Sequence, residues 1–204
     1  MIENSVTVSS NDFLRFLDKI RTVVLLEPVT GPEVGLWANV KIDALCLEHQ
    51  KTGFIRPRLL FLMTNPENAS QTVECSLNIA PFAQDEEMFD NLFQFLPGFL
   101  ADMGVKCTVY ACEVDSITCG EGDAEIVHIN QLIQQRDLEA LGAKTTRSLL
   151  FSVETPSSQR AIFYTIQGST LEFEREVLDN DFDGDFVDEF NLLVPRVPDP
   201  GRIH

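Results

Sequence analysis

Acidic side chains are the residues of this sequence best able to do chemistry, and they crowd toward its C-terminal end. From Glu172 to Glu189 stand nine acids, Glu172, Glu174, Glu176, Asp179, Asp181, Asp183, Asp185, Asp188 and Glu189, against one base, Arg175. Two kinds of chemistry suit such a run. Asp179, Asp181 and Asp183 alternate ahead of Gly184 and Asp185. Carboxylates at that spacing can converge on a hard cation such as calcium, because glycine permits the sharp turn they need. Glu172, Glu174 and Glu176 also alternate, and in a strand they share one face at spacings of ~6.6 Å. A row of like charge is costly on its own. It becomes useful against a basic protein surface, with Asp188 and Glu189 extending the face.

The Asp179–Asp185 spacing resembles the first half of the loop of EF-hand calcium proteins. That likeness implies calcium held by Asp179, Asp181, Asp183 and Asp185. The twelfth position is Phe190, where that family places a bidentate glutamate, and Glu189 comes one residue early. Leu171 to Val177 reads as a strand where that family has a helix. The competing account is an acidic loop that caps the last helix.

Signatures of familiar enzymes are missing. There is no Gly-x-Gly-x-x-Gly, no phosphate-binding loop, no Gly-x-Ser-x-Gly and no His-Glu-x-x-His. Glu113 and Asp115 lie two apart on one strand face and could act as paired acids. A solvated strand edge is the simpler account of the pair. Of the three histidines, His204 is terminal, His49 follows Glu48 and His128 sits in an apolar run. A small enzyme with an unrecognised site would need a pocket lined by Glu113, Asp115 or His128 with raised pKa values.

Net charge is −17, from 15 basic and 32 acidic residues. Such a surface repels nucleic acid and anionic membrane and favours a basic partner. The start of the chain lacks the basic and apolar stretches of a secretion signal, and no apolar run reaches the ~20 residues of a membrane helix. A cytoplasmic protein is the expectation. Five cysteines, without a Cys-x-x-Cys pair, suggest buried reduced thiols rather than a metal or disulfide framework. Cys107 and Cys112, five apart, should point to opposite faces of one strand.

These groups must be positioned by the apolar segments. Asn11 to Leu26 carries Phe13, Phe16, Leu17, Ile20 and Val24 at helical spacing and predicts an amphipathic helix. Leu36 to Glu48 alternates and predicts a strand. Arg58 to Thr64 and Val73 to Ile79 predict two more. Asp85 to Met103, with Asp85 as N-cap and Gly104 after its end, predicts the longest helix, kinked or split at Pro97-Gly98. Strands follow over Val105 to Ile117, Ser148 to Glu154, Arg160 to Gln167 and Thr170 to Val177, with helices over Leu132 to Leu141 and Asp185 to Pro195.

The fold class this implies is α+β, mostly antiparallel sheet with helices packed on one side. Residues 1–194 read as a single domain and 195–204 as a loose C-terminal tail. Leu59-Leu60-Phe61 with Asn65-Pro66 recurs 90 positions on as Leu149-Leu150-Phe151 with Thr155-Pro156. An internal strand-strand-helix duplication, with pseudo-repeats 36–104 and 105–194, would produce that.

Helix, three strands, helix, strands, helix is an order that resembles the small acidic type III secretion chaperones, apart from the extra segment Gly120 to Lys144. The resemblance implies partners bound on exposed apolar sheet and helix surfaces. The functional expectation is a non-enzymatic acidic protein-interaction module of secretion-chaperone, inhibitor or immunity/anti-defence type. Its partner would be a basic protein, met through Glu172, Glu174, Glu176, Asp188 and Glu189. A homodimer is also compatible with the sequence.

Overall fold

Thr22-Val23-Val24 is a β-branched run, and β-branched side chains lose least freedom in a strand. In the computed structural model, which describes residues 21–65, 68–82, 86–102, 104–117 and 145–178, Arg21–Leu26 is accordingly a strand, β1. The helix expected to run through to Leu26 is thus corrected over its last turns. Its start, residues 11–20, lies outside the described residues.

The stretch Leu36 to Glu48, expected as a strand, is helical. It lies inside α1, Pro32–Thr52. The alternation of Ala38, Val40, Ile42 and Ala44 was incidental. The buried residues are Trp37, Ala38, Ile42, Leu45 and His49, and Ala38, Ile42, Leu45 and His49 follow the four-three-four spacing of one helical face. Local chemistry sets both ends. Pro32 suits a first turn that needs no N–H. Glu33, in the first turn, reaches back to accept the Thr30 backbone N–H at 3.1 Å, just ahead of the Gly31 N-cap. Gly53 closes the helix at φ 79° and donates its N–H to the His49 carbonyl at 2.7 Å.

The remaining elements are β2 (Arg58–Asn65), β3 (Asn68–Asn78), α2 (Glu86–Asp102), β4 (Val105–Ile117), β5 (Thr145–Thr155), β6 (Ser158–Gln167) and β7 (Thr170–Leu178). The strands expected from Arg58 onward are therefore present. α2 is helical throughout, Pro97-Gly98 included, so it is not split into two helices. Asp85, its expected N-cap, and the helices expected over Leu132 to Leu141 and Asp185 to Pro195 lie outside the described residues.

The seven strands form one antiparallel sheet in the order β1-β3-β2-β4-β5-β6-β7. Mixed α+β with an antiparallel sheet is therefore correct, but the helices are not on one side. Alternation along β2 shows it. Leu59, Phe61 and Met63 pack with Leu92, Leu96 and Leu100 of α2. Leu60 and Leu62 pack with Trp37, Ala38, Ile42 and Leu45 of α1. Each helix covers its own face of the sheet. A register shift between Leu62 and Met63 puts Val105 in the α2 cluster, while Cys107, Val109 and Ala111 join the α1 cluster. In an unbroken strand Val105 would share a face with those three; a β-bulge separates them. Cys107 and Cys112 do face opposite ways, one in the α1 cluster and one on the other side with Leu150, Ala161 and Phe163.

The structure does not confirm a duplication. Leu59 packs under α2, but its counterpart Leu149 packs under α1. β3 leads to a helix, whereas β6 leads to β7. The element order that resembled the secretion chaperones also changes, since among the described residues a strand replaces the end of the expected first helix and a helix replaces the expected strand before β2.

Candidate protein-interaction face

β7 lies at one end of the sheet order, hydrogen-bonded to β6 along one side only among the described strands. Residues 172 to 176 are all exposed. The expected row of three glutamates is nevertheless broken. Phe163 pairs with Arg175 and Tyr164 with Phe173, so Glu174 is an extra residue in β7. A bulge of this kind puts two successive side chains on one face and shifts the alternation. Glu174 accepts hydrogen bonds from Ser148 Oγ at 3.3 Å and Thr165 Oγ1 at 3.2 Å. Glu172 accepts one from Gln167 Nε2 at 2.8 Å on that same side. Glu176 emerges on the α1 side, where Arg160 Nη1 donates to it at 3.1 Å. Arg160 also reaches Asn39 of α1, so one guanidinium ties the edge to the helix above it.

Charge is not the only feature of this edge. Phe173 is 58% exposed. It stacks edge-on against Tyr164, ring centres 5.8 Å apart, and Tyr164 does the same against buried Phe151 at 5.9 Å. The three rings make a ladder from the core to the rim. On the opposite face Arg175 lies over the Phe163 ring, 4.7 Å from its centre, a cation–π contact. Phe173 gave no sequence signal, because a lone aromatic among acids has no period to reveal its exposure.

Asp188 and Glu189 of the expected face, and Asp179, Asp181, Asp183 and Asp185 of the expected calcium loop, lie outside the described residues. Among the described residues no group of three or more His, Cys, Asp or Glu is placed to hold a metal ion.

The acid most open to a catalytic reading is already engaged. Glu113 Oε1 accepts the Ile55 backbone N–H at 2.9 Å and lies 3.6 Å from His49 Nε2. Its other oxygen pairs with Arg147 at 2.5 Å. Glu113 thus fastens the chain ahead of β2 to β4 and closes over His49. Asp115 lies beyond it on β4, and His128 is outside the described residues. His49 is fully buried, and neither ring nitrogen has a hydrogen-bond partner among the described residues. It was read as a neighbour of Glu48; the helical stripe from Ala38 through Ile42 and Leu45 would have placed it inside.

Burial suppresses the chemistry of three thiols. Burial pushes the Cys107 thiol up to about 12, and burial pushes Cys46 and Cys112 up to about 11. Such thiols stay protonated at neutral pH and supply no thiolate nucleophile. No helix among the described residues is long and apolar enough to cross a membrane. No family model matches this chain, and it has no match among curated proteins or solved structures.

Proposed function

We propose that this chain is a non-enzymatic acidic interaction module that docks a basic partner protein through the β7 edge of its sheet. The observation that carries the reading is Phe173, 58% exposed on the face it shares with Glu176, with Glu172 and Glu174 on the other face of the same strand. Acids and a bulge on an edge strand have a simpler use, since both discourage pairing with other chains. An exposed aromatic works against that use. An exposed aromatic anchor on a strand with charge on both faces instead suits a binding centre with a polar rim. The ladder through Tyr164 to Phe151 holds the ring in place, so little freedom is lost when it is covered. Glu172, Glu174 and Glu176 would then select a partner with Lys or Arg around an apolar pocket.

The test is affinity capture of partners at low and high salt with three proteins: the parent, a Glu172→Gln/Glu174→Gln/Glu176→Gln variant and a Phe173→Ser variant. Docking through this edge predicts one specific partner, weakened by salt, reduced by the triple variant and lost with Phe173→Ser. Equal recovery of every partner by all three proteins would leave β7 as a guarded edge and nothing more.

A further inference from the structure

We propose that a second copy of this chain docks on the outer face of α1, the two helices antiparallel about a two-fold axis. α1 is apolar on two opposed sides. Ala38, Ile42, Leu45 and His49 face the sheet and are buried. Leu36, Val40 and Leu47 face the other way and are 63%, 53% and 53% exposed. A helix that only roofs a sheet needs one apolar stripe; a second stripe calls for a second covering surface. Glu33, Leu36, Val40, Asp43, Leu47 and Gln50 alternate spacings of three and four, the seam of a helix that packs on another helix.

The charges on this seam favour a copy of itself as the occupant. Glu33 stands in the first turn of α1 and Lys51 in the last, both exposed. In an antiparallel pair with Leu36 against Leu47 of the other copy, Glu33 of each chain comes beside Lys51 of the other, once at each end. A parallel pair would set acid against acid. The two-fold arrangement is isologous, so one patch serves both partners. Asp43 then falls opposite Val40 near the axis, with the two carboxylates close to one another. A polar residue at such a position fixes register and costs affinity. The dimer uses α1 and not the β7 edge, so either assignment can fail without the other.

Sedimentation over a range of concentrations tests it with the full-length chain. The parent should move from monomer to dimer as concentration rises. Leu36→Glu/Leu47→Glu should stay monomeric, with circular dichroism confirming that it folds. Asp43→Asn should tighten the dimer by about tenfold by removing one carboxylate repulsion. The Glu172/Glu174/Glu176→Gln variant should dimerise like the parent. A parent that stays monomeric to millimolar concentration overturns the proposal. So does a dimer indifferent to Leu36→Glu/Leu47→Glu. Were that variant to unfold, Asp43→Asn would decide the matter: a dimer it fails to tighten does not have this seam.

Discussion

Buried thiols and phenols give this molecule an alkaline weakness that single residues predict. Cys107 is raised from 9.0 to about 12, and Cys46 and Cys112 from 9.0 to about 11. Burial is the leading cause in each case, and it also raises Tyr110. The native state therefore holds protons that the unfolded chain releases. Where the unfolded chain binds fewer protons, stability falls as pH rises. These groups should leave stability unchanged below pH 9, the unfolded thiol value, and remove it progressively toward pH 12. Urea melts from neutral to alkaline pH check this, and Cys107→Ala should flatten part of the decline. A midpoint that is constant through the alkaline range would mean that the thiols are solvated. Little of this could be read from the sequence. The cysteines in apolar runs were legible as small buried hydrophobes. The saturation of Glu113 by Ile55, His49 and Arg147 was not, because those contacts join residues 58, 64 and 34 positions apart.

At the scale of elements, α2 shows what periodicity can and cannot settle. In the sequence Met88, Leu92, Phe95, Phe99 and Met103 form one apolar stripe and Phe89, Phe93, Leu96 and Leu100 an adjacent one. Among the described residues of α2 the fully buried ones are Leu92, Leu96 and Leu100, one from the first stripe and two from the second. Phe89 and Phe93 flank them, with the Phe93 ring edge-on to Tyr110 at 6.0 Å. Leu96→Ala should cost ~2–5 kcal/mol, as other buried leucines do. Gln94→Ala, on the exposed side, should stay within ~0.5 kcal/mol. Chemical denaturation of both variants distinguishes them, and equal costs would mean that α2 does not pack on β2 and β3. α1 was misread for a physical reason. A helix with apolar stripes on opposed sides has no single amphipathic period, so Ala38, Val40, Ile42 and Ala44 alternated as a strand would. Pro32, the Thr30–Glu33 reach-back and Gly53 were the local marks that outweighed the alternation. The β7 bulge was invisible for a different reason. It depends on which residues pair across β6, and the pairing of Glu176 with Arg160 rather than with its own row follows from that register.

For the whole molecule, a net charge of −17 makes salt act with opposite signs on folding and on binding. Acids outnumber bases by 32 to 15, so the folded state repels itself. Salt at physiological strength screens exposed charges beyond ~8 Å, which relieves that repulsion. Rising sodium chloride should therefore raise Tm by a few degrees. The inter-element pairs that hold the fold limit the gain. Lys41 and the Trp37 indole N–H share Glu74 Oε2 at 2.7 and 2.9 Å, and Glu74 is 12% exposed, so salt reaches it poorly. The β7 edge is different. Its glutamates are exposed, and their attraction for a basic partner acts through the same screened solvent. The same rise in salt should lower partner affinity by about tenfold or more, mainly through slower association. Melting curves and association rates measured in one salt series test both signs together. A Tm that falls with salt would mean that surface ion pairs outweigh self-repulsion. An association rate that ignores salt would leave Phe173 and its apolar neighbours, rather than the acids, as the determinant of what binds.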